Sequence, residues 1–393
     1  MPDPDPAPRD LRRDLVRDAD DVLIIGAGPA GCAAAHALAS AGLRVQLVDR
    51  AAFPRRKPCA GGLTMRTVDA LPYDISPVVQ RVVDGWVLGR GLERAARFPR
   101  LGPIVAMTVR EELDLFCLER ARAAGAEFRV LPAITEITRG AGGWTLRAGG
   151  RRYAARWLIG ADGANGVSRN MLRKTSHGDA LEHGVAAEAL VPVRDPARYE
   201  MELRLDWVPR GYAWIFPKAA HLNVGVYARA PTRGLKRAVL EFCRQRLGVT
   251  LAPREVFGHR VPHGGQRRPH APGDALLVGD AAGLVDPLFG EGIYYAIKSG
   301  QAAARAILEQ AAGAPDRFAR YRAPLDRDLR GWRRLAAFFD ARPAAAFRLF
   351  TLPPARRVIM KSTALGWTLG QTMRRLPLLP FVRVPARVGR RVT

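Results

Sequence analysis

The sequence predicts an α/β protein (α+β overall) with a Rossmann-like dinucleotide-binding domain, an interleaved antiparallel β-sheet domain for substrate and a helical C-terminal region. Three observations carry this. Gly26-x-Gly28-x-x-Gly31 lies between a short apolar run and an Ala-rich run. Residues 185–229 alternate in strand fashion. From about residue 316 onward helix-forming segments dominate.

The elements follow in order. MPDPDPAPRDLRRDLVRDAD is Pro-punctuated and charged. It reads as a flexible leader over 1–20 and lacks the apolar stretch of a signal peptide. Val22 to Ile25 is apolar throughout, as a buried parallel strand is. A helix runs from the Gly-rich turn to about Ala41, where Gly42 ends it. Val45 to Val48 is the next strand and Asp49 closes it, completing a βαβ unit. Residues 51–63 are a loop of Pro, Arg and Gly, and residues 72–105 hold short strand-like pieces. Glu111 to Ala124 reads as an amphipathic helix, followed by a strand from Glu127 to Val130. Trp157 to Ala161 and Leu276 to Val278 are further buried strands. Residues 235–247 read as helix, and a long helix follows Gly292. The dinucleotide-binding domain then takes residues 21–75, 104–178 and 259–315. The sheet domain takes 76–103 and 179–258. A basic helical region takes 316–393.

Composition narrows the function. Among 393 residues, 48% are apolar and 25% charged, which excludes a disordered chain, a collagen and a small disulfide scaffold. Lys and Arg number 62 against 37 acids, a net charge of +25. Such a charge favours acidic surfaces, either anionic lipid or nucleic acid. No zinc-finger, RNP-like or helix-turn-helix signature is present, so nucleic acid is not the expected partner. The four cysteines, at 32, 59, 117 and 243, form no CxxC pair and read as free thiols in a reducing compartment. No run approaches the roughly 18 apolar residues of a membrane span. The expected location is the cytoplasm, with peripheral contact at the inner membrane face. Residues 341–393 contain eleven Lys and Arg and no acid, with Leu376, Leu378, Leu379, Phe381 and Val382 interleaved. This fits a basic amphipathic layer against an anionic membrane, and fits equally a solvated Arg-rich helical cap.

The Gly-rich turn carries the first chemistry. Gly26 allows a tight turn, Gly28 lets the backbone approach a pyrophosphate, and Gly31 lets helix and strand pack. The helix N-terminus offers free N–H groups to phosphates. Asp49, eighteen residues after Gly31, is placed for a ribose hydroxyl. The turn alone does not choose between NAD and FAD. Two later segments favour FAD. One is Gly160-Ala161-Asp162-Gly163-Ala164-Asn165. The other is Gly279-Asp280-Ala281-Ala282-Gly283, followed by Gly290-Glu291-Gly292-Ile293. A carboxylate after a strand can hold ribityl hydroxyls, and N–H groups at Gly292 and Ile293 can face the flavin ring. Asp162 could instead cap a helix.

The three motifs in this order resemble the para-hydroxybenzoate-hydroxylase-type FAD superfamily. Pro54-x-x-Lys57-x-Cys59-Ala60-Gly61-Gly62 and Tyr212-Ala-Trp214-Ile-Phe216-Pro217-Lys218 are similar to the PxxKxCGGG loop and YxWxFP strand of the geranylgeranyl reductase family. The resemblance covers roughly residues 20–310. Ala60 departs from its Gly pattern, and Tyr227 and Phe289 stand where Gly and Thr are usual. The resemblance implies that Gly26, Gly28, Gly31 and Asp49 bind the ADP half of FAD. It implies cofactor contacts at Arg110, Asp162, Asp280, Gly292 and Ile293. The Lys57 to Gly62 loop, with Cys59 and Ala60, would lie beside the flavin. Tyr212, Trp214 and Phe216 would wall a substrate tunnel, since period two puts them on one face.

The implied reaction is reduction of isolated prenyl C=C bonds by hydride and a proton. Cys59, Tyr212 or an ordered water could deliver the proton. Cys59 differs from the helical cysteines because Pro and Gly surround it and Arg55, Arg56 and Lys57 precede it, cations that would favour a thiolate, and packing against the flavin is its other reading. NADPH or a ferredoxin-type protein would supply electrons, and the substrate would be a prenylated lipid or other isoprenoid. The alternative is an FAD monooxygenase of an aromatic or polyketide-like molecule, which shares the three cofactor motifs. His259 and His263 lack a third ligand nearby, so no metal site is expected.

Overall fold

Val22 to Ile25 are each at most 3% exposed, and they form the centre of a mostly parallel sheet. The computed structural model describes residues 20–92, 94–173, 181–263, 275–314, 321–379 and 382–384. The expected leader, apart from Asp20, and the last residues of the basic tail lie outside these.

The first sheet runs Glu127–Val130, Val45–Asp49, Asp20–Ile25, Arg151–Gly160, Gly143–Ala148, Ile134–Gly140, and Ala275–Leu277 also pairs with Arg151–Gly160. The four pairings around Asp20–Ile25 and Ala275–Leu277 are parallel, and the last two form an antiparallel meander. The strand expected from Trp157 therefore starts at Arg151. Its first half is not an apolar run because there it pairs with a hairpin strand rather than lying between parallel neighbours. Helix Pro29–Ser40 packs its buried alanines against helix Ile293–Ala311. The approach is backbone to backbone: a Cβ at Gly300 would lie 2.2 Å from the Ala30 carbonyl oxygen.

The second sheet runs Phe257–His263, Glu182–Pro192, His221–Ala228, Gly211–Pro217, Met201–Leu205, Trp86–Arg90, Arg94–Arg97. Phe257–His263 pairs antiparallel with Glu182–Pro192, so residues 259–263, expected with the dinucleotide-binding domain, belong here. Residues 79–83 also depart from the expected division. Val79–Val83 joins Gly62–Thr64 and Val105–Thr108 in a small third sheet. Alternation along Gly211–Pro217 sends Ala213 and Ile215 to a core shared with helix Leu235–Leu247. Tyr212, Trp214 and Phe216 point to the opposite face.

Among the described residues, four α-helices follow: Ala323–Ala341, Pro343–Thr351, Pro353–Ala364 and Leu369–Arg375. The first packs Leu325 and Leu329 into the core of the first sheet and is tied to helix Ile293–Ala311 and to the second sheet. Asp328 accepts from the Tyr295 hydroxyl at 2.6 Å, and Asp340 pairs with Arg210 at 3.0 Å and with Arg229. Trp332, Leu335 and Phe339 cover the aromatic face of the second sheet. Among the described residues, no helix is long and apolar enough to cross a membrane.

Candidate active site

One continuous cavity of about 1260 Å³ runs from the Gly-rich turn, past the Lys57 to Gly62 loop and the aromatic strand, to the C-terminal helices. It exceeds the roughly 300–1,000 Å³ of pockets for one drug-sized ligand, leaving room for a cofactor and a second molecule. Every residue that the resemblance assigns to cofactor or substrate lines it except Gly31.

The three glycines of the turn differ in what they do. A Cβ at Gly26, whose φ is +104°, would lie 2.4 Å from the Ala161 carbonyl oxygen, and one at Gly31 would lie 1.9 Å from that of Gly26. Both are required by packing. A Cβ at Gly28 would meet only the end of Arg55, at 3.6 Å. Nothing inside the protein needs Gly28, and its bare backbone faces the cavity at the start of helix Pro29–Ser40. Such a cradle fits a pyrophosphate. Asp49 accepts from Ala27 N at 2.9 Å and Ala51 N at 3.0 Å, which fixes its carboxylate at the rim.

Positive charge gathers nearby. Asp114, fully buried, holds Arg110 through bonds of 2.7 and 2.8 Å and pairs with Arg55 at 3.3 Å. Both guanidinium groups line the cavity. Asp162 accepts from Ser168 N at 2.8 Å and from the Ser168 hydroxyl, so it caps helix Ser168–Arg173 while lining the cavity. Burial pushes its carboxyl up. Asp280 lies beside Gly292, where a Cβ would come within 3.3 Å of its Oδ1. Gly292 precedes helix Ile293–Ala311. An open backbone cradle, flanking cations and this second helix start fit the two ends of an FAD.

The second sheet grips the loop carrying Cys59. Lys57 Nζ donates to His259 Nε2 at 2.5 Å. Burial, with Lys57 and Arg110 alongside, holds the His259 imidazole neutral by lowering it to about 3. Cys59 N donates to Glu188 Oε1 at 3.0 Å, and Asn223 Nδ2 donates to the Cys59 carbonyl at 3.4 Å. Lys218 Nζ donates to the Ala60 carbonyl at 2.6 Å. Burial raises Glu188 and lowers Lys218 to about 7. Asp114, Glu188 and Asn223 escaped the sequence reading, which weighed His259 only as a metal ligand. Asp114 was signalled by its place four residues after Arg110 on a helix, and Glu188 by being an acid within the apolar run Ala186–Val191.

Aromatic side chains secure the loop before Gly292. The Tyr212 hydroxyl donates to the Phe289 carbonyl, and the Tyr227 hydroxyl donates to the Pro287 carbonyl at 3.1 Å. Burial pushes Tyr212 well above its ordinary value, so its proton stays on the phenol. Burial likewise raises Asp286 to about 7. Glu291 accepts from Thr64 at 2.6 Å, from Thr67 at 3.0 Å and from buried Arg66. Burial alone would raise Glu291, but Arg66 outweighs it and holds the carboxylate low.

Residues 19–73 match the family described as an FAD binding domain. An uncharacterized protein of Methanosarcina barkeri is 32% identical over 91% of this chain and 93% of its own. A menaquinone reductase of Mycobacterium tuberculosis is 33% identical over 74% of this chain and 77% of its own. A geranylgeranyl diphosphate reductase of Rhodobacter capsulatus is 32% identical over 73% and 75%. The fold is shared with a geranylgeranyl bacteriochlorophyll reductase-like protein of Thermoplasma acidophilum (TM-score 0.72, 20% identity, 92% and 99% covered). It is also shared with the flavin-dependent brominase Bmp2 (TM-score 0.68, 20% identity, 92% and 99% covered). With the cofactor cradle, the loop and the aromatic strand on one cavity, these similarities have one meaning: the chain belongs to the geranylgeranyl reductase family of FAD-dependent oxidoreductases.

Proposed function

We propose that this chain saturates isolated C=C bonds of a prenyl, geranylgeranyl-type chain. The observation that carries the reading is the continuation of the cavity beyond Cys59 between Tyr212, Trp214 and Phe216 and the C-terminal helices. That space suits a long apolar chain rather than a compact aromatic ring. The relatives named for reduction of menaquinone and of geranylgeranyl diphosphate support it.

Loops and helix starts around the first sheet hold FAD in this reading. Gly28 and the following helix start take the pyrophosphate, with Arg55 and Arg110 facing it. Asp49 takes the ribose, Asp280 and Asp162 lie along the ribityl part, and Gly292 and Ile293 meet the ring edge. FAD, when bound and reduced, supplies hydride to one alkene carbon. An isolated alkene has no carbonyl to accept charge, so a proton must reach the other carbon almost together with hydride. Cys59 stands on the gripped loop between cofactor cradle and aromatic wall and is the acid we assign. Tyr212 would first have to release the Phe289 carbonyl. The second sheet and the C-terminal helices exclude water from the chain. Electrons come from NADPH or a ferredoxin-type protein, and residues 341–393 turn the protein toward an anionic membrane.

Mass spectrometry of prenyl lipids incubated with chemically reduced protein tests this. Gain of hydrogen pairs without oxygen is expected. Gain of one oxygen atom, only in air, would make the chain a monooxygenase and Cys59 a packing residue.

A further inference from the structure

The far end of the cavity opens through an unusual surface. Leu349, Leu352, Met373, Leu376 and Leu378 are 50, 48, 64, 41 and 60% exposed. Scattered exposed apolar residues need no explanation, but these five fall within thirty residues of one another. Leu349, Met373 and Leu376 are also cavity-lining residues, so they form the rim where cavity meets solvent. Exposed Arg348, Arg374 and Arg375 adjoin them in the chain. Residues 341–379 hold seven Lys and Arg and no acid. The cations Arg210 and Arg229 at the inner end of these helices are paired with Asp340, whereas the rim has no acid of its own segment to meet.

We propose that this rim docks on an anionic bilayer, with Leu349, Met373 and Leu376 seated among the acyl chains and the arginines on the head groups. Apolar side chains next to cations without acids match the layered chemistry of a bilayer surface, which is anionic outside and apolar beneath. A folded protein partner would need a matching acidic and apolar face. A bilayer supplies both everywhere. The position explains the geometry: an apolar chain leaves the bilayer directly into the cavity and never crosses water, where each methylene would lose its hydrophobic free energy. What passes through the rim rests on the prenyl reading; the docking does not.

Flotation of the full-length holoprotein tests it. The vesicles are phosphatidylcholine alone, or phosphatidylcholine with roughly one third phosphatidylglycerol. The protein should float with the anionic vesicles, and added salt should weaken the association. Arg374→Gln with Arg375→Gln should weaken it about 30-fold, from about 1 kcal/mol for each cation near the surface. Met373→Glu with Leu376→Glu should abolish flotation. These side chains are exposed, so unchanged flavin content and melting temperature would show that the variants remain folded. Equal flotation with neutral and anionic vesicles, or undiminished flotation of folded Glu variants, would overturn the proposal. So would association of the wild type with itself in place of vesicles. Reduction of a detergent-solubilised prenyl substrate is measured separately, so a failed docking test leaves the reaction standing, and the reverse.

Discussion

Gly28→Ala separates what the Gly-rich turn does for the fold from what it does for the cofactor. The added methyl meets only Arg55 at 3.6 Å, and the backbone, at φ −77° and ψ −176°, is one any residue adopts. The cost to the fold is that of an Ala at a helix N-cap, about 0.5–1 kcal/mol. The same methyl projects into the cradle that would receive a pyrophosphate. Losing one charged hydrogen bond there costs about 1.5–3 kcal/mol, or roughly 10- to 150-fold in FAD affinity. Gly31→Ala is the opposite case. Its methyl must clear the Gly26 carbonyl oxygen at 1.9 Å, and such overpacking costs about 1–3 kcal/mol or more in the fold itself. The assay pairs flavin fluorescence titration of stripped protein with urea unfolding of the same sample. Gly28→Ala should unfold close to the wild-type midpoint and bind FAD weakly. A variant that binds FAD as tightly as wild type would refute the assignment of Gly28 to the cofactor, and one that unfolds like Gly31→Ala would refute the packing argument.

Three further outcomes follow from the site. Glu291→Gln leaves the buried Arg66 with only Asp328 at 3.6 Å, and should cost about 3 kcal/mol by urea unfolding. Because Arg66 holds Glu291 low, this contribution is present above about pH 4 and lost as pH falls, a loss the variant should lack. Lys218 is lowered to about 7, so above that pH the unfolded chain binds the extra proton and stability rises toward about pH 10. Lys218→Met should flatten that rise in urea midpoints, and an unchanged slope would show that Lys218 is not the titrating group. Cys59→Ala should keep its flavin but slow prenyl reduction about 10²-fold, the lower range of general-acid catalysis. An unchanged rate would place the acid elsewhere.

The cofactor half of the cavity was legible because its chemistry is local. Gly26, Gly28, Gly31 and Asp49 sit within one βαβ unit, and their spacing alone gathers them at one turn. Period two put Tyr212, Trp214 and Phe216 on one face, and the family resemblance, not the pattern, made that face a wall of the cavity. The supports were not legible. Glu188 reaches Cys59 across 129 positions, His259 reaches Lys57 across 202, and Glu291 reaches Arg66 across 225. Such pairs depend on how the sheets meet, which no local pattern records. The hairpin over Ile134–Ala148 was also missed, because its strands face solvent on one side and mix charge with apolar residues. For the same reason the domain boundary at 258/259 fell inside a strand.

The contact of Gly300 with Ala30 has a consequence for the starts of both helices. Gly28 begins one helix and Gly292 precedes the other, and both line the cavity. With a carbonyl where the Gly300 side chain would stand, no layer of side chains cushions the crossing. The gap between the two helix starts is then a fixed gauge, set by main-chain thickness rather than by replaceable side chains. Sequence drift elsewhere on these helices can alter their outer faces without changing the gap between the two starts. Adaptation to a new substrate is thereby channelled to the second sheet and the C-terminal helices, which touch the cavity but not the gauge.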